Sequence, residues 1–300
     1  MSAPFASDSF KAGSRRDVEP VIAREPHSAY WGLDAQASAA AYMKRLHAIK
    51  GKMIGLIVSI GALGVAAAGN GIFVLWFGCL VAIGILAMRS RARIGSLFLG
   101  LMGIVSDDCD VGRYRQVMEI LRQRDRLGRS AQVIQVELAY CDYLELSPSS
   151  ALERLEGISF RRKNNPGWYY RSLQVEFLSL LDLGDRAAAR DAMERLSTFK
   201  DSLGKGSRNR ALAEAQLVDF ALILRTPAER DEGDARYMRD AMLRSEDHQR
   251  RVRWQLLLAE YEMLHGSRDE ARRLAGDPSL LPLTPRGERL RASILEGLGL

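Results

Sequence analysis

The chain carries no charged side chain from Met53 to Met88, and after Arg93 its apolar positions recur with helical spacing and almost no strand alternation. An uncharged run of that length exceeds the ~20 residues that one helix needs to cross a hydrocarbon core about 30 Å thick. As one straight helix it would extend about 54 Å at 1.5 Å per residue, far past that core. Two helices over about 52–68 and 71–88 fit instead, and Gly69, Asn70 and Gly71 mark the break between them. Glycine suits the left-handed position that ends a helix, and asparagine is a good N-cap for the next one. The pattern therefore predicts a transmembrane helical hairpin within residues 41–93.

The flanks orient it. Lys44, Arg45, Lys50 and Lys52 precede the run, Arg89, Arg91 and Arg93 follow it, and no acidic residue lies between Lys44 and Arg93. The positive-inside rule then places both ends in the cytoplasm and the Asn70 turn on the far side. Gly51, Gly55, Ser59, Ala62 and Ala66 form a small-residue stripe on the first span, and Gly78 and Ala82 a shorter one on the second. Such stripes allow close helix approach; pairing within the hairpin is the expected use, and a contact with another copy is the alternative. A cleaved signal peptide fits poorly, because more than fifty residues precede the run and a second apolar segment follows at once. Residues 1–40 read as a disordered cytoplasmic tail whose composition turns helical from Asp34.

Residues 94–300 contain an internal repeat. LELSPSSALERLEGI (144–158), DLGDRAAARDAMERL (182–196) and LHGSRDEARRLAGDP (264–278) align without gaps. Each has a helix-ending Leu or Gly, a polar turn, and an alanine five residues on: Leu146 and Ala151, Gly184 and Ala189, Gly266 and Ala271. The spacing predicts a further turn near Arg225, where Thr226-Pro227 stands without the alanine, and another near Asp108. Apolar stretches such as AQVIQVELAYCDYL and RRVRWQLLLAEYEML precede the turns. This is a helix–turn–helix unit repeated about five times, closed by a helix from Thr284. A unit that cannot bury its apolar face alone stacks on its neighbours. IGSLFLGLMGIV (94–105), too short to span alone, reads as the first helix of the array, with an interfacial or re-entrant helix as the alternative.

LGDRAAARDAMERL and HGSRDEARRL resemble the tetratricopeptide-repeat superfamily. The resemblance implies an all-α protein: the hairpin followed by a tetratricopeptide-like α-solenoid of about five helix pairs. It also implies a concave surface that binds protein segments, lined by the first helix of each pair. Carried over position by position, that surface includes Arg171, Gln174, Asp219, Arg253 and Glu260. Trp168, Tyr169, Tyr170 and Trp254 are expected in core or inter-repeat packing.

Charge sharpens this picture. The formal net charge of +6 belongs entirely to residues 1–105; residues 106–300 carry equal numbers of acidic and basic side chains. A nucleic-acid-binding domain would want a basic face, so no nucleic acid is expected as a partner. Three cysteines are too few for a disulfide framework and read as free thiols. No phosphate-binding glycine loop, HExxH, CxxC or GxSxG occurs, and the four histidines are scattered. SLGKGSRN (202–209) reads as an inter-helix loop, and the acidic cluster at 107–110 as a helix N-terminus rather than a metal site. No catalytic residue, cofactor or metal is expected.

The sequence thus predicts a non-catalytic, membrane-anchored cytoplasmic scaffold that binds protein partners. The alternative is an accessory subunit of a membrane transport or secretion complex, docking through its hairpin. Arginine dominates the basic residues, which suggests a GC-rich genome and a bacterial cell membrane.

Overall fold

The computed structural model describes residues 27–128, 130–158 and 166–300. The predicted tail falls partly outside them, at residues 1–26. Among the described residues the fold is all-helical, with no strand. Twelve α-helices follow in order: α1 Ala35–Gly69, α2 Phe73–Ser106, α3 Val111–Arg124, α4 Ala131–Leu144, α5 Pro148–Leu155, α6 Pro166–Asp182, α7 Arg186–Asp201, α8 Arg208–Leu224, α9 Glu232–Arg244, α10 His248–His265, α11 Arg268–Gly276 and α12 Pro285–Gly297.

Two of these, α1 and α2, are long and apolar enough to cross a membrane, and only 11% of each apolar window is buried within the protein. They pack on each other. The turn between them closes with Ile72 N–H donating to Ala67 O and Gly71 N–H to Ala68 O, and Gly71 takes the left-handed backbone at φ +72°. This is a Schellman ending. Asn70 does not cap the second helix, as its residue type suggests. Its side-chain amide donates back to Ala66 O at 2.8 Å, and Ile72 opens α2 with no side-chain cap. The small-residue stripe also departs from expectation: Gly51, Gly55, Ser59, Ala62 and Ala66 are all exposed. The close approach uses Gly64 and Ala67 instead. A Cβ on Gly64 would lie 3.2 Å from Cys79 Cβ, so only the bare backbone fits there without displacement.

At 35 and 34 residues, α1 and α2 run about 50 Å each, well beyond the hydrocarbon core. Their ends remote from the turn belong to the core of the helical domain. Ala35, Ala39 and Tyr42 from α1 join Leu101, Ile104 and Val105 from α2 in one buried cluster with α3, α4, α6 and α7. Segment 94–105 is therefore neither a separate first helix nor re-entrant; it is the continuation of α2. Residues 27–40, read from sequence as tail, are ordered for the same reason. Tyr30 is buried, Asp34 caps α1 by accepting from Ala37 N–H, and Ser28 donates through its N–H and hydroxyl to Asp108 at 2.7 and 2.5 Å. Arg113 ties this turn down, donating to Asp108 at 2.6 Å and to Leu33 O at 2.9 Å.

The repeated turns share the spacing from N-cap to buried alanine, though Leu146 and Gly184 are left-handed and Gly266 is not. Ser147, Asp185 and Ser267 are the N-caps of α5, α7 and α11, and the alanine four residues on, at 151, 189 or 271, is fully buried in each. The predicted turn near Arg225 does contain the alanine, displaced along the chain. A 3₁₀ turn at Pro227–Glu229 intervenes, Asp231 caps α9 with a capping box, and Ala235 is buried at the equivalent position. In α3 the cap is Asp110 and Tyr114 takes the buried place. Packing runs mainly between neighbours in sequence, but α10 also packs on α2 and α12. The described core divides into two clusters, one reaching from Tyr30 to Phe220 and one from Leu222 to Leu298.

Candidate functional site

Where α10 and α12 of the second cluster face α2, α4 and α6 of the first, a cavity of about 280 Å³ remains. Its wall begins with α4, in which every residue from Val136 to Leu144 is buried. Two of those residues are carboxylates, and buried carboxylates need partners. Glu137 accepts from the Tyr114 hydroxyl at 3.0 Å and from Arg171 at 3.3 Å. Asp142 accepts from Arg115 and Arg154, both at 2.7 Å.

Four guanidinium groups line the cavity: Arg171 on α6, Arg250 and Arg253 on α10, and Arg286 on α12. Arg171 lies over the Tyr140 ring at 3.8 Å and Arg286 over the Tyr143 ring at 4.0 Å, so each cation meets the electron-rich face of an aromatic. Arg286 also pairs with Asp182 and donates to Tyr143 O at 3.3 Å. Arg250 and Arg253, one helical turn apart, share the Asp219 carboxylate at 3.1 and 3.8 Å. Asp219 additionally accepts from the Tyr237 hydroxyl at 2.7 Å.

Of the five residues expected on a binding surface, Arg171, Gln174 and Arg253 line this cavity. Asp219 stands behind it with no exposed surface, held by the two arginines. Glu260 is elsewhere, paired with Arg230 at 2.6 Å. Among the aromatic residues, Trp168 packs edge-on against Phe98, Tyr169 against Phe199, and Trp254 against Tyr237, all as packing contacts. Tyr170 differs, because its hydroxyl donates to Gln216 Oε1 at 2.8 Å at the cavity wall. Sequence reasoning missed Gln216, Arg250, Arg286, Tyr140 and Tyr143. Arg250 could have been found as the residue one turn before Arg253; Arg286 could not, since only the tertiary fold brings α12 to α4.

At neutral pH the wall holds charge in place and offers little proton chemistry. Arginine stays protonated. Burial pushes the Cys109 thiol up to about 12, with the negative charges of Asp107, Asp108 and Asp247 adding to the shift. Asp247, the carboxylate in the wall, accepts from Arg250 N–H at 2.8 Å as the N-cap of α10. The arrangement suits binding. Gly69, Asn70 and Gly71, at the opposite end of the long helices, contribute only the turn.

Elsewhere the acidic cluster at 107–110 is divided among structural tasks: Asp108 anchors Ser28 and Arg113, and Asp110 caps α3. SLGKGSRN joins α7 to α8, with Gly206 left-handed at φ +84° and Ser207 capping α8. Comparison with known protein families, with curated proteins and with solved structures returns no match for this chain. The tetratricopeptide-repeat resemblance therefore rests on the chain's own residues.

Proposed function

We propose that this protein is a non-catalytic, membrane-anchored scaffold of a bacterial cell membrane, with both termini cytoplasmic and a tetratricopeptide-like α-solenoid that binds protein partners. The observation that carries this reading is the continuity of α1 and α2. Their apolar, exposed halves suit a bilayer, and the same two helices end inside the packed core of the helical domain. Basic flanks at Lys44–Lys52 and Arg89–Arg93 favour the cytoplasmic side for that domain. The capped turns, each followed by a buried alanine, support a repeat array.

The second reading, an accessory subunit docking through the hairpin, draws on the outward stripe of Gly51, Gly55, Ser59, Ala62 and Ala66. Close approach of a foreign helix would use such a face. In-cell crosslinking of the full chain separates the two readings. Residues 53–88 are exchanged for an unrelated hairpin while 27–52 and 89–300 are kept. Partner crosslinks that survive the exchange support the scaffold; crosslinks lost with the native hairpin support the docking subunit. Absence of specific protein crosslinks in the native chain would overturn both.

A further inference from the structure

Two residues that line the central cavity each keep a buried hydrogen-bond donor without a partner. Gln216, 6% exposed, uses its Oε1 to accept from the Tyr170 hydroxyl at 2.8 Å and from Gln174 Nε2 at 3.4 Å. Its Nε2 has no partner, although it is buried at the cavity wall. Arg253 Nε is likewise buried without a partner. A buried donor left unpaired forfeits the hydrogen bond it made with water, so a fold that keeps two among the residues of one cavity gains by pairing them with something. The charges agree. Arg250 and Arg253 share one carboxylate, and the closer contact belongs to Arg250; Arg253 stands at 3.8 Å from it, with its guanidinium over the Trp254 ring at 5.1 Å. Arg171, the next cation along the wall, already has Glu137.

We infer that this cavity binds a small molecule through a single oxyanion group, carboxylate or phosphate, with Arg253 and Gln216 as its donors. A guanidinium presents paired N–H groups that match either oxyanion. The lining also includes the apolar Met102, Val105, Leu144 and Leu290, which suit a short hydrocarbon body. The volume of about 280 Å³ lies near the lower limit of small-molecule pockets, about 300 Å³, and is too small for a stretch of polypeptide. The inference goes beyond the scaffold reading and does not depend on it: an empty cavity would leave the anchor and its partners untouched.

The test is thermal unfolding of the full chain in detergent, titrated with inorganic phosphate, butyl phosphate and butyrate at constant ionic strength set by potassium chloride. The expected result is a saturable rise in Tm with one head group, which names the class, and a larger rise when the butyl body is present. Two variants accompany it. Gln216→Glu keeps the shape and the acceptor for Tyr170 but replaces the unpaired donor with a carboxylate on the cavity wall, so it should abolish the ligand-induced rise. Arg253→Gln should weaken the response at least tenfold in half-saturating concentration. If no probe gives a saturable rise, or if Gln216→Glu responds like the native chain, the inference is overturned.

Discussion

At the scale of single residues, backbone conformation decides what side-chain type alone leaves open. Gly184 and Gly112 both have open space around an added Cβ, yet Gly184 sits at φ +79° and Gly112 in the ordinary helical region of α3. Left-handed backbone costs a non-glycine residue about 1–2 kcal/mol. Gly184→Ala should therefore lower stability by about 1 kcal/mol, whereas Gly112→Ala should raise it by about 0.5 kcal/mol; chemical denaturation of each variant reads both signs. Leu146 takes the same left-handed backbone at φ +63° without being glycine, whereas Gly266 in the third copy stays at φ −121°. Asp107 supplies a pH dependence. Burial raises its pKa, contact with the His248 backbone offsets part of this, and the charges of Asp247 and Asp108 add to the rise. A carboxyl whose folded pKa is raised favours the fold most below its unfolded pKa, about 3.9, and that advantage is lost as pH rises through the folded value. Asp107→Asn should consequently raise Tm at pH 7 and leave it nearly unchanged at pH 3. Asn70 shows the limit of residue-level reading. The sequence marks it as a turn residue, but which helix end it caps depends on where the left-handed residue falls, and that is Gly71.

At the scale of elements, the helical periods and the caps were readable because each has a local cause. A polar N-cap satisfies free N–H groups at the helix start, and the alanine four residues later lies on the inward face of the first turn. Ala189 is fully buried on α7, which packs on both α6 and α8, so a longer side chain there would overpack the core. Ala189→Leu should cost about 1–3 kcal/mol by overpacking, while Leu183→Ala at the exposed end of the preceding turn should cost under ~0.5 kcal/mol; thermal unfolding of the two variants makes the comparison. The late alanine at Ala235 was hidden from the sequence by the 3₁₀ insertion that breaks the repeat period. The small-residue stripe misled for a related reason. Spacing shows that residues share a face but not which way the face points; Gly64, off the stripe, makes the close approach to Cys79, and Ala67 beside it on α1 is buried. Likewise the polar residues at 89–93 suggest a boundary after the second span, whereas α2 continues through them as one helix to Ser106.

At the scale of the whole molecule, the sequence speaks to the two apolar helices and the all-helical class, since both follow from composition and period. The central cavity does not. It depends on α10 and α12 folding back against α2, α4 and α6, and the contacts that hold them there join residues far apart in the chain, as Tyr140 to Gln249 at 2.8 Å and Arg286 to Asp182. Three of its lining residues could be named through the family resemblance, yet the resemblance also pointed to Glu260, which the Arg230 ion pair withdraws. If α1 and α2 cross a bilayer and return the helical domain to the side of the basic flanks, the Asn70 turn and the C-terminal residue lie on opposite sides of it. Topology reporters fused after Asn70 and after Leu300 in the full chain test it most directly. The expected result is the Asn70 reporter outside the cell membrane and the Leu300 reporter in the cytoplasm; both on the same side would rule out the membrane hairpin.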